Sequence, residues 1–258
     1  MGQVTHSLEG HVATVVLANA ERYNAMSLAM WRQLAAVLSA LQANPSVRAV
    51  VLRGEGARAF VSGADISEFG AQRSTPQGVI DYDKAVDDAQ SALANFSRPV
   101  IAAISGICYG GGLGLALACD MRYAAPNAKF RMPAARLGLG YALNGVQRMV
   151  DVLGASNASE LFYTARVCDA PEALRMGLVN AVHEDCFAHA QAVAAEIAAN
   201  APLTIVAAKL AITALRTGQA EASASAVGQA VKTCFESSDY VEGRQAFAEK
   251  RLPRFTGR

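Results

Sequence analysis

Between Pro99 and Asp120 the chain carries no charged residue, in the run RPVIAAISGICYGGGLGLALACD, and few architectures can hide so long a stretch. Its character changes halfway. Val100–Ile104 is short, apolar and rich in β-branched residues, the pattern of a strand buried on both faces. Leu113–Cys119 is rich in Leu and Ala, as a buried helix is. At the junction, Gly110-Gly111-Gly112 removes every side chain where the strand's end meets the helix's start. Backbone N–H groups and the positive end of the helix dipole are then uncovered, ready to bind an anion or to stabilise one that develops. The same triplet also lets a helix pack close against a sheet, and taken alone it serves both readings equally. A membrane span is disfavoured by the glycines, by Ser105 and Tyr109 and by the lack of flanking basic residues. A dinucleotide fingerprint would need its glycines in another order and an acidic residue about twenty positions on.

The 258 residues are 52% hydrophobic and only 17% charged, so extra surface is expected to be buried between subunits and an oligomer is the default. A formal net charge of +1 offers no field for nucleic acid. Five widely spaced cysteines (Cys108, Cys119, Cys168, Cys186, Cys234) include no Cys-x-x-Cys pair, which fits a reducing compartment and inert core thiols. The start, MGQVTHSLEG, has no basic segment leading into an apolar run, and His6 stands where a myristoylation motif needs Ser or Thr. A soluble cytoplasmic protein is expected.

Along the chain, His11–Ala18 reads as a strand, and Ser27 as the cap of a helix whose core face is Leu28, Trp31, Leu34, Leu38 and Leu41. Val47–Leu52 is a second buried strand. Ser62-Gly63-Ala64-Asp65 is a small-residue turn, able to offer an amide beside the glycine triplet or to be a turn without chemistry. Gln72–Gln77, with Pro76, reads as a mobile surface segment before a helix over about Tyr82–Phe96, of the kind that covers a site. Met121–Ala125 is a further strand; Ala158–Tyr163 and Pro171–Met176 are short helices, and Leu178–Val182 is the last strand. From residue 200 onward only helices are expected. The alternation predicts an α/β fold with parallel strands, divided into a core over 1–200 and a helical region over 201–258.

Metal binding is poorly supported: of four histidines, His183 and His189 lie beside the acidic pair Glu184-Asp185 and read as solvated surface. Neither Ser62 nor Ser105 lies in a Gly-x-Ser-x-Gly elbow, and no phosphate-binding Gly-x-x-x-x-Gly-Lys loop occurs. What remains is an electrophile stabiliser built from backbone, suited to a reaction that passes through an oxyanion.

The segments AFVSGADISEF, the glycine run through AAPNAKF, PAARLGLG, GLVN and the tail EGRQAFAEKRLPRFTGR together resemble the enoyl-CoA hydratase/isomerase (crotonase) superfamily over nearly the whole chain. The resemblance implies a spiral of strand-strand-helix (ββα) units with a C-terminal helical trimerisation region, assembled as a homotrimer or dimer of trimers. It implies that the amides of Ala64 and Gly111 grip the thioester carbonyl of an acyl-CoA. Coenzyme A would arrive as part of the substrate, not as a permanent cofactor, and meet Arg22, Asn24, Ala64, Asp65, Ile66, Ser67, Phe247 and Lys250. Hydratases of the family place one Glu in Gly-Gly-Gly-x-Glu and a second after the Pro that matches Pro133; here those positions are Gly114 and Ala134.

Hydration needs both a base and an acid, each contributing about 10²–10⁴-fold. An enolate formed by losing CO₂ needs neither, so decarboxylation of a malonyl-type thioester fits the inventory. LGLGYALNG also resembles the matching stretch of the family's methylmalonyl-CoA decarboxylases. It implies that Tyr141 orients the substrate carboxylate or helps protonate the enolate, with Asn144 as a polar neighbour; a structural Tyr bonded to a backbone carbonyl is the competing reading. Asp65, Glu68, Asp87 and Asp88 are the carboxylates able to reach the pocket. The alternatives are a hydratase or isomerase with relocated carboxylates and a non-catalytic acyl-CoA binding protein.

Overall fold

The computed structural model describes residues 2–72 and 74–258. A hairpin, β1 (Gln3–Glu9) and β2 (Val12–Ala18), opens the chain. β1 is an edge strand with almost every residue exposed, so no apolar run marks it in the sequence. Ser27 caps α1 (Leu28–Ala43) by accepting from the Met30 amide at 3.2 Å, and Trp31, Leu34, Leu38 and Leu41 are buried as their spacing predicts.

Three ββα units follow. β3 (Ala49–Gly54) and β4 (Ala59–Val61) lead to α2 (Phe69–Gln72) and α3 (Pro76–Ala94). β5 (Val100–Ile104) and β6 (Ile107–Tyr109) lead to α4 (Gly111–Ala118). β7 (Met121–Ala124) and β8 (Lys129–Arg131) lead to α5 (Ala134–Leu137) and α6 (Leu143–Thr164). β9 (Cys168–Asp169), α7 (Ala170–Arg175) and β10 (Ala181–Val182) complete the sheets.

The first strand of each unit joins a six-stranded sheet of order β1-β2-β3-β5-β7-β10, and the second joins a four-stranded sheet of order β4-β6-β8-β9. Every pairing is parallel except β1 with β2 and β8 with β9. Each turn of the chain therefore lays one strand on each sheet, which is the expected α/β spiral.

The larger core, with Trp31, Phe60, Tyr82 and Phe130, fills the space between the sheets and α1, α3, α4 and α6. A smaller one, with Val51, Ile101 and Tyr123, lies under α8 (Cys186–Ala199). α9 (Pro202–Arg216), α10 (Ala220–Glu236) and α11 (Ser238–Glu249) end the chain. No single helix among the described residues is long and apolar enough to cross a membrane.

Four expectations need correction. The strand that meets the glycine triplet is β6, a three-residue strand too short to show a pattern. α3 starts at Pro76, with Thr75 accepting from the Gly78 amide at 3.0 Å, so most of Gln72–Gln77 is helical; Arg73 lies outside the described residues. Ala158–Tyr163 is the end of α6, which bends at Gly154. His183 and His189 are not solvated separately: their rings stack at 3.7 Å, with Tyr123 edge-on to His189 at 4.5 Å.

Candidate active site

The glycine triplet divides its labour. Gly110 adopts φ 50°, ψ −114°, open to glycine alone, and its amide ties the turn to β8 by donating to the Arg131 carbonyl at 2.9 Å. Gly112 is needed for packing, since a Cβ there would fall 2.2 Å from the Val61 carbonyl oxygen. Gly111, at the first position of α4, lies between them with its amide uncommitted. A Cβ on Gly111 would lie 3.1 Å from the Trp31 ring and 3.7 Å from the Ala64 nitrogen. The packing and functional readings are thus both realised, on different glycines.

The Ala64 turn is aimed by a single β-bridge to Met26. Met26 donates to the Gly63 carbonyl at 2.8 Å and Asp65 donates back to the Met26 carbonyl at 2.9 Å, which leaves the Ala64 amide on the other edge of the turn. Neither the Ala64 nor the Gly111 amide donates to an acceptor among the described residues. Two free N–H groups, one at the start of a helix, thus share one small space.

The rim of this turn is laced to the loop before α1. Arg22 Nη1 contacts both Asp65 oxygens, at 2.9 and 2.7 Å, and also bonds Ser67. Burial pushes the Asp65 carboxyl up, but hydrogen bonds from Ser67 and Arg22 outweigh it and hold the group below its ordinary value. Glu68 accepts from the Leu28 amide at 2.9 Å and so caps α1. Both carboxylates beside the turn are therefore engaged as structural acceptors. Ile66 is exposed, and Arg22 and Ser67 stand at the solvent edge.

Asn24 does not share that edge. It is buried in a left-handed conformation, its side chain donating to the Glu55 and Ala59 carbonyls at 3.0 and 2.8 Å and accepting from the Asn19 amide at 3.0 Å. Its amide braces the loop and has nothing left to offer a ligand.

Gly114 and Ala134 are both buried. The room above Gly114 is taken by Gln90 of α3, whose Nε2 is 2.6 Å from where a Gly114 Cβ would fall. Gln90 Oε1 accepts from Arg148 Nη1 of α6 at 2.9 Å, and Arg148 Nη2 donates to Ser91 Oγ at 3.4 Å. On the other side Trp31 Nε1 donates to the Tyr82 hydroxyl at 3.3 Å.

Tyr141 packs edge-on against Phe162 at 5.4 Å, and burial pushes its hydroxyl up to about 12. That hydroxyl makes no hydrogen bond among the described residues, so the backbone-bonded reading of Tyr141 is not what is found. Asn144 is exposed and turned away: it donates to Asp87 of α3 and accepts from the Gly145 amide at 2.8 Å. It clips α6 to α3 and makes no hydrogen bond to the Tyr141 hydroxyl. Phe247, 88% exposed, and Lys250 lie at the end of α11, whose packing within the chain is mainly against α10, and nothing in this chain carries them to the two turns.

Sequence reasoning missed Trp31 and Tyr82 as the wall of the site, and Gln90 with Arg148 behind it. The signal for Gln90 was a polar residue in the buried stripe of α3 that includes Tyr82, Ala85, Ala89 and Leu93. Burial raises the thiols of Cys108 and Cys119, so neither is a ready nucleophile. No group of three or more metal-ligating side chains occurs among the described residues.

A family model described as enoyl-CoA hydratase/isomerase matches residues 7–258. A short-chain-enoyl-CoA hydratase of Clostridium acetobutylicum is 34% identical over 245 residues, covering 94% of this chain and 93% of the relative. A mitochondrial methylglutaconyl-CoA hydratase of Mus musculus is 35% identical, covering 99% and 83%. The crystal structure of an enoyl-CoA hydratase from Bacillus anthracis superposes with a TM-score of 0.91 at 33% identity, covering 99% of both chains.

Proposed function

Since this chain belongs to the enoyl-CoA hydratase/isomerase family, we propose that it forms thioester enolates between the Ala64 and Gly111 amides, releasing CO₂ from a malonyl-type acyl-CoA. The observation that carries this reading is the pair of free amides brought close together on a chain whose two hydratase acid positions are Gly114 and Ala134. The thioester oxygen accepts from both amides. The bond from the α carbon to the carboxylate breaks, CO₂ departs, and the electron pair comes to rest on that oxygen. A proton then returns to the α carbon. Each amide donor contributes on the order of 3 kcal/mol, most of it gained only as the charge develops. Tyr141, kept protonated by burial, is the proton donor in this reading.

Arg22, Ile66 and Ser67 form the exposed rim that meets coenzyme A, with Asp65 setting the Arg22 side chain. Phe247 and Lys250 reach the thioester's nucleotide end only from a second copy, in a homotrimer or dimer of trimers. The exposed apolar faces of α9–α11 support that assembly.

The names of the relatives favour a second reading, hydration. Against it, Asp65 and Glu68 are already engaged and Asp87 is bonded to Asn144. Purified enzyme offered malonyl-CoA, methylmalonyl-CoA and crotonyl-CoA decides between them. CO₂ release from either of the first two, lowered about 10–100-fold in Tyr141→Phe, is expected. Hydration of crotonyl-CoA without CO₂ release overturns the decarboxylase reading; binding without turnover of any thioester leaves an acyl-CoA binding protein.

A further inference from the structure

Gln90 is only 7% exposed, yet half of its amide makes no hydrogen bond inside the protein. Arg148 can only donate, so the hydrogen bond at 2.9 Å fixes Gln90 Oε1 toward the guanidinium and turns Nε2 the other way. Nε2 then packs onto Gly114, 2.6 Å from where a Cβ there would fall, and donates to no acceptor among the described residues. No fully buried side-chain donor among the described residues lacks a partner, so Nε2 keeps some accessible surface, where an arriving group can accept from it.

Gly114 lies one helical turn beyond Gly110, and Gly111 and Gly114, three apart, share a face of α4. The donor therefore packs on the face of α4 that Gly111 shares. Where the family's hydratases, by the resemblance drawn above, present a Glu that accepts, this chain presents N–H groups that donate. The polarity of that wall is inverted.

Arg148 adds to the effect. It is buried and makes no contact ion pair among the described residues: its partners are the neutral Gln90 and Ser91, Asp87 nearby is bonded to Asn144, and Arg216 is held by Asp151 at 3.0 Å. A cation behind the Gln90 carbonyl, opposed by Asp87 without a contact ion pair, polarises the amide and strengthens its N–H as a donor. The pair thus forms a two-residue relay of positive potential without placing a charge against the substrate.

We propose that Gln90, oriented by Arg148, is the specificity residue that selects acyl-CoA thioesters bearing an anionic acceptor group on the β carbon side, and excludes plain saturated acyl chains. The assignment rests on the acyl-CoA reading of the site and names the substrate class within it. A neutral donor suits the chemistry: it turns the carboxylate into position without the ion pair that would hold it in the ground state.

The test is a binding measurement that does not depend on turnover. Sulfoacetyl-CoA presents acceptor oxygens on an anionic group that cannot leave as CO₂, and butyryl-CoA has a chain of similar reach with no acceptor. Calorimetry on the intact protein is expected to show sulfoacetyl-CoA bound at least about 10-fold more tightly, as one hydrogen bond to a charged group provides. In Gln90→Leu that preference disappears while butyryl-CoA affinity holds. Should Gln90→Leu fail to fold because Arg148 loses its acceptor, Gln90→Glu keeps that acceptor and is expected to reverse the preference. Equal binding of the two ligands by the wild type, or a preference that survives both substitutions, overturns the proposal. A preference intact in a protein that releases no CO₂ supports the role of Gln90 and overturns decarboxylation instead.

Discussion

Two regions of this molecule break the rule of apolar inside and polar outside in opposite directions. Around Ala64 and Gly111 the chain half-buries bare backbone and keeps large side chains at the walls. Along α9–α11 it does the reverse, leaving Leu215 71% exposed on α9, and Phe235 61% and Phe247 88% exposed about a groove of about 880 Å³. The first region is closed by the chain's own contacts: α4 pressed on β4, the Met26 bridge, and the Trp31–Tyr82 and Gln90–Arg148 pairs. The second has no such closure. Unpaired amides are tolerable when the rest of the region is over-determined, because their cost is recovered when a substrate oxygen arrives. Exposed apolar side chains have no comparable use in a monomer and are satisfied by another surface.

The largest effect should come from filling the closed region. Gly112→Val drives a branched side chain into the Val61 carbonyl and is expected to cost about 3 kcal/mol or more, read as a collapse of the denaturation midpoint. A tolerated valine would show that α4 is not held against β4 as described.

Next is removal of one donor, its N–H exchanged for a ring methylene. Ala64→Pro deletes an amide that the fold does not use, so stability should hold while kcat falls about 10²–10³-fold. Loss of folding with no specific loss of kcat would mean that the turn is structural after all.

The open region is expected to respond through assembly. Leu215→Asp combined with Phe235→Asp should leave folded monomers by sedimentation and weaken acyl-CoA binding, since Phe247 and Lys250 would no longer be delivered by a neighbour. Retention of the oligomer places the interface elsewhere.

The smallest effect is electrostatic. Asp65 titrates lower folded than unfolded, so its stabilisation is present at neutral pH and is lost progressively as pH falls below the ordinary aspartate value of about 4. The gap in thermal midpoint between wild type and Asp65→Asn should therefore shrink on acidification, and it should be small throughout because Arg22 is half exposed.

Much of the fold could be read without coordinates where a pattern is long. The Leu/Trp stripe of α1, its Ser27 cap and the buried runs of β3 and β5 all stand where periodicity puts them. β4, β6 and β8 have three residues each and β9 has two, too few for alternation to register, so the whole four-stranded sheet escaped. The site divides in the same way. Ala64 and Gly111 are visible as turns without side chains, because small residues declare themselves in one dimension. Asn24 and Asn144 were misplaced because an amide's direction is set by partners far along the chain, such as Ala59 and Asp87.

By itself the sequence determined the start of α1 at its Ser27 cap, the buried strands β3 and β5 of the larger sheet, and the want of an acid at positions 114 and 134, each a property of residues read in order. Only the tertiary structure decided that the Ala64 and Gly111 amides meet, that Gln90 fills the room a glutamate would have used, and that Arg148 turns its donor inward. Local order sets what a segment prefers, but a site is made by crossings between distant segments: Gln90 and Arg148 are 58 residues apart and hold one another at 2.9 Å only because α3 and α6 are packed over the same short helix.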